Sequence, residues 1–424
     1  MKILIKNANV FSKDLKFKIR DIFINDLFIE DVGENLNYEV NKIINAKNLL
    51  VSPGFIDLHS HLREPGFEYK ETIRTGTSAA VAGGFTTVCC MSNLNPVPDC
   101  SKNLDIVLKL VKDNALCNVL PFMSMTKKQT GKEICEFDSR CVGLSEDGNS
   151  VQSSLVMEKI FKSFPGLLFS VHCENKNEIK KNSFIHDGKY AKQHGLSGIS
   201  SKVEYSMLKR DLKLAKKFNS HYHMCHVSCK ESVKVIRDAR NAGVKVTCEV
   251  TPHHLCFCED DLKNNGDFKM NPPLRTKKDQ EALIEALNDG TIDCVATDHA
   301  PHSEEEKSGG LQDSLMGVIG LETAFSGLYT KLVLTKKILL SRLLEAFTFS
   351  PQRIIAKSYK NFGIAKGNRA DVTLIDLSKK WKVFPEHFFS KGRATPFRNM
   401  KLVSKVVMTI VNGRIVYKLK GALD

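Results

Sequence analysis

The sequence predicts an α/β fold, a (β/α)8 barrel of the TIM type that carries a small β-sheet domain formed from both ends of the chain. Short apolar strands alternate with helical patterns through the middle of the chain, as the strands and helices of such a barrel do. The two terminal segments show strand patterns only. We therefore expect residues 1–51 and 361–424 to form the composite sheet, and residues 52–360 to form the barrel.

The amino-terminal segment begins the predicted sheet. The stretches "MKILIKNANVF" and "DIFINDLFIEDVG" alternate apolar and polar residues, which is typical of half-buried strands, and a turn is predicted at Asn25-Asp26. The run "LLVSPGFI", which contains Pro53 and Gly54, then predicts an apolar strand. This strand leads directly into "DLHSHLREPG", from Asp57 to Gly66. Ordinary turn residues are expected at the end of a strand, but this stretch contains two histidines and an arginine.

The middle and the carboxyl end supply the remaining elements. The strand patterns are "GFTTVCCM", "LLFSVHCE", "SHYHMCHVS", "VKVTCEV" and "IDCVATDHAPH", with helical patterns between them such as "NLDIVLKLVKD" and "ESVKVIRDARNAG". Near the carboxyl end, "ADVTLIDL" predicts a strand, and "VVMTIVNGRIVYK" predicts a hairpin with a type I′ turn at Asn412-Gly413. These terminal strands could pair with the amino-terminal ones.

The composition restricts the class of protein. Of the 424 residues, 42% are apolar and 26% are charged, which is typical of a globular protein. The net charge is +14, but the lysines are dispersed along helices without interleaved aromatic residues, so we expect no nucleic-acid partner. We expect no membrane association and no signal peptide either. The thirteen cysteines form no C-x-x-C pair and lie in apolar strands, which favours the reducing cytoplasm.

Polar side chains follow the predicted barrel strands at their carboxyl ends, where catalytic groups of such barrels collect. They are His59, His61, Asn93, Asp147, His172, His226 and Asp298. A single histidine at such a place is more often structural, and an Asp before Gly is usually a turn residue. Four histidines and two aspartates together, however, are a ligand set suited to one or two zinc ions. His59 and His61, two residues apart on a strand, point to the same face.

Two of these ligands suggest further roles. A carboxylate that reaches two metal ions would fix their spacing, and Asp147 is the candidate. Zinc ions held in this way would lower the pKa of a bound water and so supply a nucleophile at neutral pH. Asp298, as a ligand close to that water, is suited to general base and acid catalysis.

These motifs resemble those of the dihydroorotases, a family of the amidohydrolase superfamily. "DLHSHLREPG" and "ATDHAPHSEEEK" look like the two family signatures, and "LSEDG", "VHCEN", "CHVS", "CEVTPHHL" and "NPPLR" follow in the family's order. The resemblance implies a zinc-dependent enzyme of pyrimidine biosynthesis that interconverts N-carbamoyl-L-aspartate and L-dihydroorotate. The implied metal ligands are His59, His61, Asp147, His172, His226 and Asp298. The implied substrate contacts are Arg63, Asn93, Asn271, His302 and, through the loop backbone, Met316 and Gly317.

The sequence departs from the family pattern at two motifs. The usual "MPNT" is "MSNL", in which Asn93 is retained, and the usual "SDDG" is "SEDG", in which we align Asp147 rather than Glu146. We expect one or two zinc ions per subunit, with a binuclear centre, and we expect a homodimer. Association with aspartate transcarbamoylase is left open.

Two alternative functions remain. Hydantoinase, dihydropyrimidinase and allantoinase are cyclic amidases of the same superfamily, and they mostly bridge their metals with a carboxylated lysine. The corresponding segment "CVGLSEDG" has no lysine, which favours an aspartate bridge. A catalytically inactive scaffold for aspartate transcarbamoylase is the other alternative, although such a protein would be expected to have lost ligands.

Two surface features have competing interpretations. Arg63 could hold the carboxylate of an anionic substrate, or it could form an ion pair with Glu64 or Glu68. The segment Ser303 to Gly317 is polar and contains the pair Gly309-Gly310, so it could close over the substrate as a lid or lie as a plain surface loop.

Overall fold

Eighteen strands form three sheets in residues 1–422, the part of the chain that the computed structural model describes. The first ten strands are β1 (Lys2–Phe11), β2 (Phe17–Asn25), β3 (Phe28–Gly33), β4 (Lys42–Asn45), β5 (Leu50–Pro53), β6 (Phe55–Ser60), β7 (Phe85–Cys90), β8 (Asn118–Ser124), β9 (Gly143–Ser145) and β10 (Leu168–Val171). The others are β11 (Ile185–His186), β12 (Gly198–Ile199), β13 (His221–Met224), β14 (Val246–Val250), β15 (Cys294–Val295), β16 (Val372–Lys382), β17 (Lys401–Val411) and β18 (Arg414–Lys418).

Eight parallel strands form the barrel, in the order β6, β7, β8, β9, β10, β13, β14 and β15. A parallel bridge between Ser60 and His299 joins the last segment to the first, so the barrel is nearly closed. Buried side chains of several strands, among them Ile56, Cys89, Phe122 and Cys294, pack together as one cluster. This arrangement confirms the predicted (β/α)8 architecture.

Both ends of the chain contribute to the second large sheet, whose strand order is β18, β17, β16, β5, β1, β2 and β3, with β4 paired to β1. The two ends meet where β5 pairs antiparallel with β16 and parallel with β1. Its apolar side is buried as a separate cluster that includes Ile5, Ile22, Val51, Leu374 and Ile410. The mixed sheet from both termini is therefore confirmed. The proposed domain boundaries stay a prediction, and residues 423–424 lie outside the described part.

Gly54 separates two strands where the sequence predicted one. The run "LLVSPGFI" forms β5 in the composite sheet and then β6 in the barrel. A Cβ atom at position 54 would lie only 2.0 Å from Thr86 Oγ1, so a glycine is required where the chain passes from one sheet to the other. The predicted turn at Asn25-Asp26 is also displaced by one residue, to Asp26 and Leu27. The turn at Asn412-Gly413 is as predicted, with φ of 50° and 71°.

Helices follow most barrel strands and cover the outside of the barrel. The α-helices of residues 1–422 are α1 (Ile73–Ala82), α2 (Ser101–Asn114), α3 (Ser154–Ser163), α4 (Lys189–Gln193), α5 (Lys202–Phe218), α6 (Lys230–Asn241), α7 (Pro252–Cys256), α8 (Lys277–Asn288), α9 (Glu304–Lys307), α10 (Gly310–Asp313), α11 (Ala324–Leu328), α12 (Leu340–Phe347) and α13 (Phe349–Ile354). Within residues 1–422, no helix is both long and apolar enough to cross a bilayer. All thirteen cysteines are free thiols, and twelve of them are buried.

Candidate active site

His59 and His61 place two imidazoles inside the mouth of the barrel. His59 lies in β6 and His61 directly after it, so their extended backbone sends both rings to the same side. The ring centroids lie 5.3 Å apart, and both side chains are buried. The two-residue spacing in the sequence therefore places two candidate ligands side by side.

Four other polar side chains reach the same point from the ends of other barrel strands. Asp147, His172, His226 and Asp298 follow β9, β10, β13 and β15, and all four are buried. His61 Nε2 lies 3.2 Å from Asp298 Oδ1, and His59 Nε2 lies 3.4 Å from Asp147 Oδ1. On the far side, His172 Nδ1 lies 2.9 Å from His226 Nε2. The structure therefore brings together all six candidate metal ligands.

The unpaired polar atoms of this cluster fit a bound cation. Among the six candidate ligands, atoms within 4.8 Å of one another form two sets, one from His59, His61 and Asp298 and one from His59, Asp147 and His226. His59 Nε2, Asp147 Oδ1 and His226 Nδ1 are buried, and none of these atoms has a hydrogen-bond partner in the described part of the chain. Leaving such atoms buried and unpaired costs about 1–3 kcal/mol each, which metal coordination would offset. Imidazole and carboxylate donors are the ligands of catalytic zinc sites.

The two candidate carboxylate ligands are held in their ionised form. Burial raises the pKa of the Asp298 carboxyl, but the nearby His59 and His61 outweigh burial and keep that pKa below its usual range. Burial likewise raises the pKa of the Asp147 carboxyl, but the nearby His59 and His226 outweigh burial and keep that pKa well below its usual range. A metal ligand must be deprotonated, so both carboxyls are ready to bind a cation.

The backbone at three of the candidate residues lies in the left-handed region. The φ angles are 61° at Arg63, 34° at His226 and 46° at Asp298. Residues other than glycine rarely adopt such angles, and each such residue costs about 1–3 kcal/mol. Strain of this kind is retained where the surroundings require it, and here all three residues face the mouth of the barrel.

Arg63 and His302 lie side by side at the rim of the cluster. Arg63 is partly buried, its Nε donates to the Pro301 carbonyl at 3.2 Å, and its guanidinium lies 3.5 Å from His302 Nε2. Within residues 1–422, no carboxylate lies within 4 Å of Arg63, so the alternative ion pair with Glu64 or Glu68 does not form. Burial and the Arg63 cation lower the pKa of His302 to about 3, which keeps its ring neutral.

The two candidate asparagines contact ligands of the cluster. Asn93 Oδ1 accepts a hydrogen bond from His61 Nδ1 at 2.9 Å, and Asn93 Nδ2 lies 3.5 Å from Asp147 Oδ2. Asn271 Nδ2 donates to Glu174 at 2.7 Å and lies 3.5 Å from His172 Nε2. Both side chains are partly exposed, which leaves them accessible to a molecule in the barrel mouth.

The loop Ser303 to Gly317 packs against the site through Met316 and Gly317. The Met316 carbonyl accepts a hydrogen bond from His302 Nε2 at 2.9 Å, and the Gly317 N–H donates to the Lys269 carbonyl at 3.0 Å. Lys307 fastens the loop, since its ammonium donates to the carbonyls of Lys269, Leu315 and Gly317 at 2.6–3.0 Å. The loop backbone is thus held beside His302.

Glu249 is a residue of the site that sequence reasoning missed. It lies in β14 with its side chain fully buried between His59 and His223. Burial opposes its ionisation, but the hydrogen bonds from His223 and His59 outweigh burial and lower its pKa to about 2. The signal in the sequence was an acid inside the apolar strand "VTCEV". Glu146, by contrast, turns away from the cluster and accepts hydrogen bonds from Ser124 and Thr126.

Comparisons with known proteins agree with this geometry. The family model described as Dihydro-orotase-like matches residues 48–232. The chain is 44% identical to proteins named dihydroorotase from Bacillus cereus (strain AH820) and Bacillus anthracis, with full coverage of both chains. Among solved structures, an L-hydantoinase (dihydropyrimidinase) from Arthrobacter aurescens matches with a TM-score of 0.86 at 24% identity, covering 100% of this chain and 97% of that one. A dihydropyrimidinase from Brevibacillus agri matches with a TM-score of 0.80 at 20% identity, covering 99% and 95%. At these identities the structural likeness concerns the fold.

Proposed function

Since the chain belongs to the dihydroorotase family, we propose that it catalyses the reversible ring closure of N-carbamoyl-L-aspartate to L-dihydroorotate and water. The observation that carries this proposal is the position of Arg63. A guanidinium that has no acidic partner among residues 1–422 lies beside a buried cluster of four histidines and two aspartates. Such a cation suits a ring that bears a carboxylate, because a guanidinium holds a carboxylate with two parallel hydrogen bonds.

The metal centre is the first part of the proposal. His59, His61, Asp147, His172, His226 and Asp298 would hold one or two zinc ions per subunit. Bound there, zinc would activate a water for attack at neutral pH and would polarise the carbonyl under attack. Asp147 lies close to all four histidines of the cluster, and this central position suits a bridging carboxylate.

Asp298 would move the proton. In the hydrolytic direction it accepts a proton from the attacking water and delivers it to the ring nitrogen as the amide bond breaks. In the synthetic direction it takes the proton from the ureido nitrogen as that nitrogen attacks the side-chain carboxyl carbon. It then passes this proton to the carboxyl oxygen whose bond to carbon breaks, and that oxygen leaves as water with a second proton taken up from solution. Ring closure consumes one proton overall, so low pH favours dihydroorotate at equilibrium.

The rim residues would bind and orient the substrate. Arg63 would hold the ring carboxylate, with Asn93, Asn271 and His302 as further hydrogen-bonding groups around the barrel mouth. Met316 and Gly317 would present loop backbone to the ring, since the loop is fastened beside His302. Holding the carboxylate at one end would direct the opposite side of the ring toward Asp298.

A spectrophotometric assay of dihydroorotate hydrolysis tests the proposal directly. The purified protein should hydrolyse dihydroorotate, lose the activity after treatment with a chelator and regain it when zinc is added back. The variant His59→Ala should have lower zinc content by elemental analysis and no activity. A wild-type protein that retains no zinc and does not hydrolyse dihydroorotate would instead support the inactive scaffold, whereas turnover of dihydrouracil alone would support a hydantoinase-type amidase.

The cellular location, the oligomeric state and the protein partner of the enzyme are a separate proposal. We expect a cytoplasmic homodimer, which light scattering coupled to size-exclusion chromatography and fractionation of cells would check. Binding to aspartate transcarbamoylase would be tested by mixing the two purified proteins on the same column.

A further inference from the structure

Glu249 lies inside the barrel, one layer below the metal ligands. Its carboxylate is fully buried, with Oε1 at 2.8 Å from His59 Nδ1 and Oε2 at 3.0 Å from His223 Nε2. Both oxygens are therefore used, one for a candidate ligand and one for a histidine that lies outside the six candidate ligands. His223 is in β13 and Glu249 is in β14, so the contact joins adjacent strands.

The contact determines which nitrogen of His59 can bind a metal. Glu249 accepts a hydrogen bond from Nδ1, so Nδ1 carries the proton and Nε2 keeps its lone pair. Nε2 is also the ring atom that is buried with no hydrogen-bond partner among the described residues. A carboxylate on the second ring nitrogen fixes the tautomer and orientation of a ligating histidine and makes it more basic.

A line of hydrogen bonds continues from Glu249 toward the opposite end of the barrel. His223 Nδ1 lies 2.9 Å from Thr247 Oγ1, and the same hydroxyl lies 2.9 Å from His221 Nε2. One arrangement of donors and acceptors makes every hydrogen bond in this line. His221 donates to the Thr247 oxygen, the Thr247 hydroxyl donates to His223 Nδ1, and His223 Nε2–H donates to Glu249.

We propose that Glu249 is a positioning residue that fixes His59 as an Nε2 ligand, and that His223 holds Glu249 in the orientation this requires. The proposal deepens the proposed function, because it rests on the metal centre assigned there. The line from Glu249 to His221 ends in a cavity of about 750 Å³ on the other face of the barrel. The orientation of His59 is thus set by groups on the side of the barrel away from the substrate.

The substitution Glu249→Gln tests this role with nearly unchanged volume. The amide oxygen can still accept from His59, but its NH2 group meets the His223 N–H, so the two donors oppose each other. Zinc affinity, measured by competition with a chromophoric chelator, should fall by about 10–100-fold. The visible absorption spectrum of the cobalt-substituted protein should change as well, since it reports the ligand field at the metal. Both measurements are independent of turnover.

Asp211→Asn provides the matched control. Asp211 is as fully buried as Glu249, but it lies in α5 and pairs with Arg210 and the Tyr222 hydroxyl. Its neutralisation should leave zinc affinity and the cobalt spectrum unchanged. Loss of affinity in both variants would show a general effect of removing a buried charge and would overturn the proposal.

His223 supplies the second set of variants. His223→Ala should lower zinc affinity, whereas His223→Gln, which can place an amide N–H near the former Nε2, should restore most of it. In the double variant Glu249→Gln/His223→Ala, the loss should be no larger than in Glu249→Gln alone, because both act through one hydrogen bond. If the two substitutions lowered zinc affinity additively, His223 would not act through Glu249, and the proposal that His223 holds Glu249 would be wrong.

The outcomes separate this inference from the proposed function. If the wild-type protein binds no divalent metal, the metal centre itself is wrong. If the wild type binds zinc and Glu249→Gln binds it equally well with an unchanged cobalt spectrum, only the positioning role is wrong. If Glu249→Gln does not fold, the comparison of His223→Ala with His223→Gln decides the question.

Discussion

Asp298 combines metal binding and proton transfer in the proposed reaction, and a conservative substitution separates the two tasks. Asp298→Asn keeps an oxygen that can contact the metal and removes the carboxylate that accepts the proton. We expect kcat for dihydroorotate to fall by about 10²–10⁴-fold, the usual contribution of a general acid–base group. Zinc content by elemental analysis and dihydroorotate binding by calorimetry should change little. A rate within tenfold of wild type would assign the proton transfer to another group.

Arg63 is predicted to determine which ring the enzyme accepts. Arg63→Met keeps an unbranched apolar side chain and removes the guanidinium charge, so a bound carboxylate would be left without its partner. The value of kcat/KM for dihydroorotate should fall by an amount that corresponds to about 2–5 kcal/mol of lost transition-state stabilisation. Any activity on dihydrouracil should be spared, and zinc content should stay normal.

Lys70→Met provides a control for the charge of this region. Lys70 lies 3.3 Å from His302 and is already paired with Glu306 at 2.9 Å, so its loss should affect the two substrates to a similar and smaller extent. Equal losses on both substrates in Arg63→Met would mean that Arg63 supports the fold or the metals instead.

Single residues also show how much of the site the sequence could reveal. The pair His59 and His61 was predictable because a two-residue spacing on a strand has one geometric outcome. The placement of Glu249 was not, because an acid in a buried strand can face either the barrel interior or the surrounding helices. Its two histidine partners are 190 and 26 residues away in sequence, and only the closed barrel brings them together.

At the scale of the element, the loop Ser303 to Gly317 depends on one glycine. Gly317 has a φ of 140°, and a Cβ atom there would lie 2.6 Å from the Ala300 carbonyl oxygen and 2.9 Å from the His302 ring. Gly317→Ala should therefore displace His302 and lower kcat/KM by about tenfold or more, given strain of about 1–3 kcal/mol. Zinc content should not change.

Gly195→Ala is the control for the loop substitution. Gly195 has a φ of 64°, and no atom lies within 4 Å of the place that a Cβ atom would take, so alanine there adds backbone strain without displacing a neighbour. Steady-state kinetics should be unaffected in this variant. Wild-type kinetics in Gly317→Ala would leave the segment as a surface loop without a catalytic role.

The ends of the strands near the site were harder to predict from the sequence than the presence of strands there. The apolar run before the two histidines gives no sign of a break, because both β5 and β6 are buried and neither alternates. The division at Gly54 follows from the tertiary structure, where β5 has to pair with β16 and β6 with β7. The six candidate ligands nevertheless lie close together, because carboxyl ends of parallel strands meet at one face of a barrel.

At the scale of the whole molecule, the metal cluster is expected to contribute to stability. It brings two ionised aspartates and several unpaired polar atoms into the buried mouth of the barrel. A metal that binds only the folded state stabilises it by about 4 kcal/mol when its concentration is a thousandfold above Kd. Scanning calorimetry should show a lower Tm after chelation and recovery on adding zinc. His59→Ala should show a much smaller zinc-dependent shift, and an equal shift would place the stabilising ion elsewhere.

The composite sheet has a consequence for synthesis of the protein on the ribosome. β5 needs β16 as a partner, and roughly 300 residues must be translated between them, which at about 5–20 residues per second takes roughly 15–60 s. Until then β1 to β5 expose an unpaired strand edge and an apolar surface on the nascent chain, a state that invites pairing with other strands. The barrel can assemble during this interval, whereas the amino-terminal strands wait for the last segment to leave the exit tunnel.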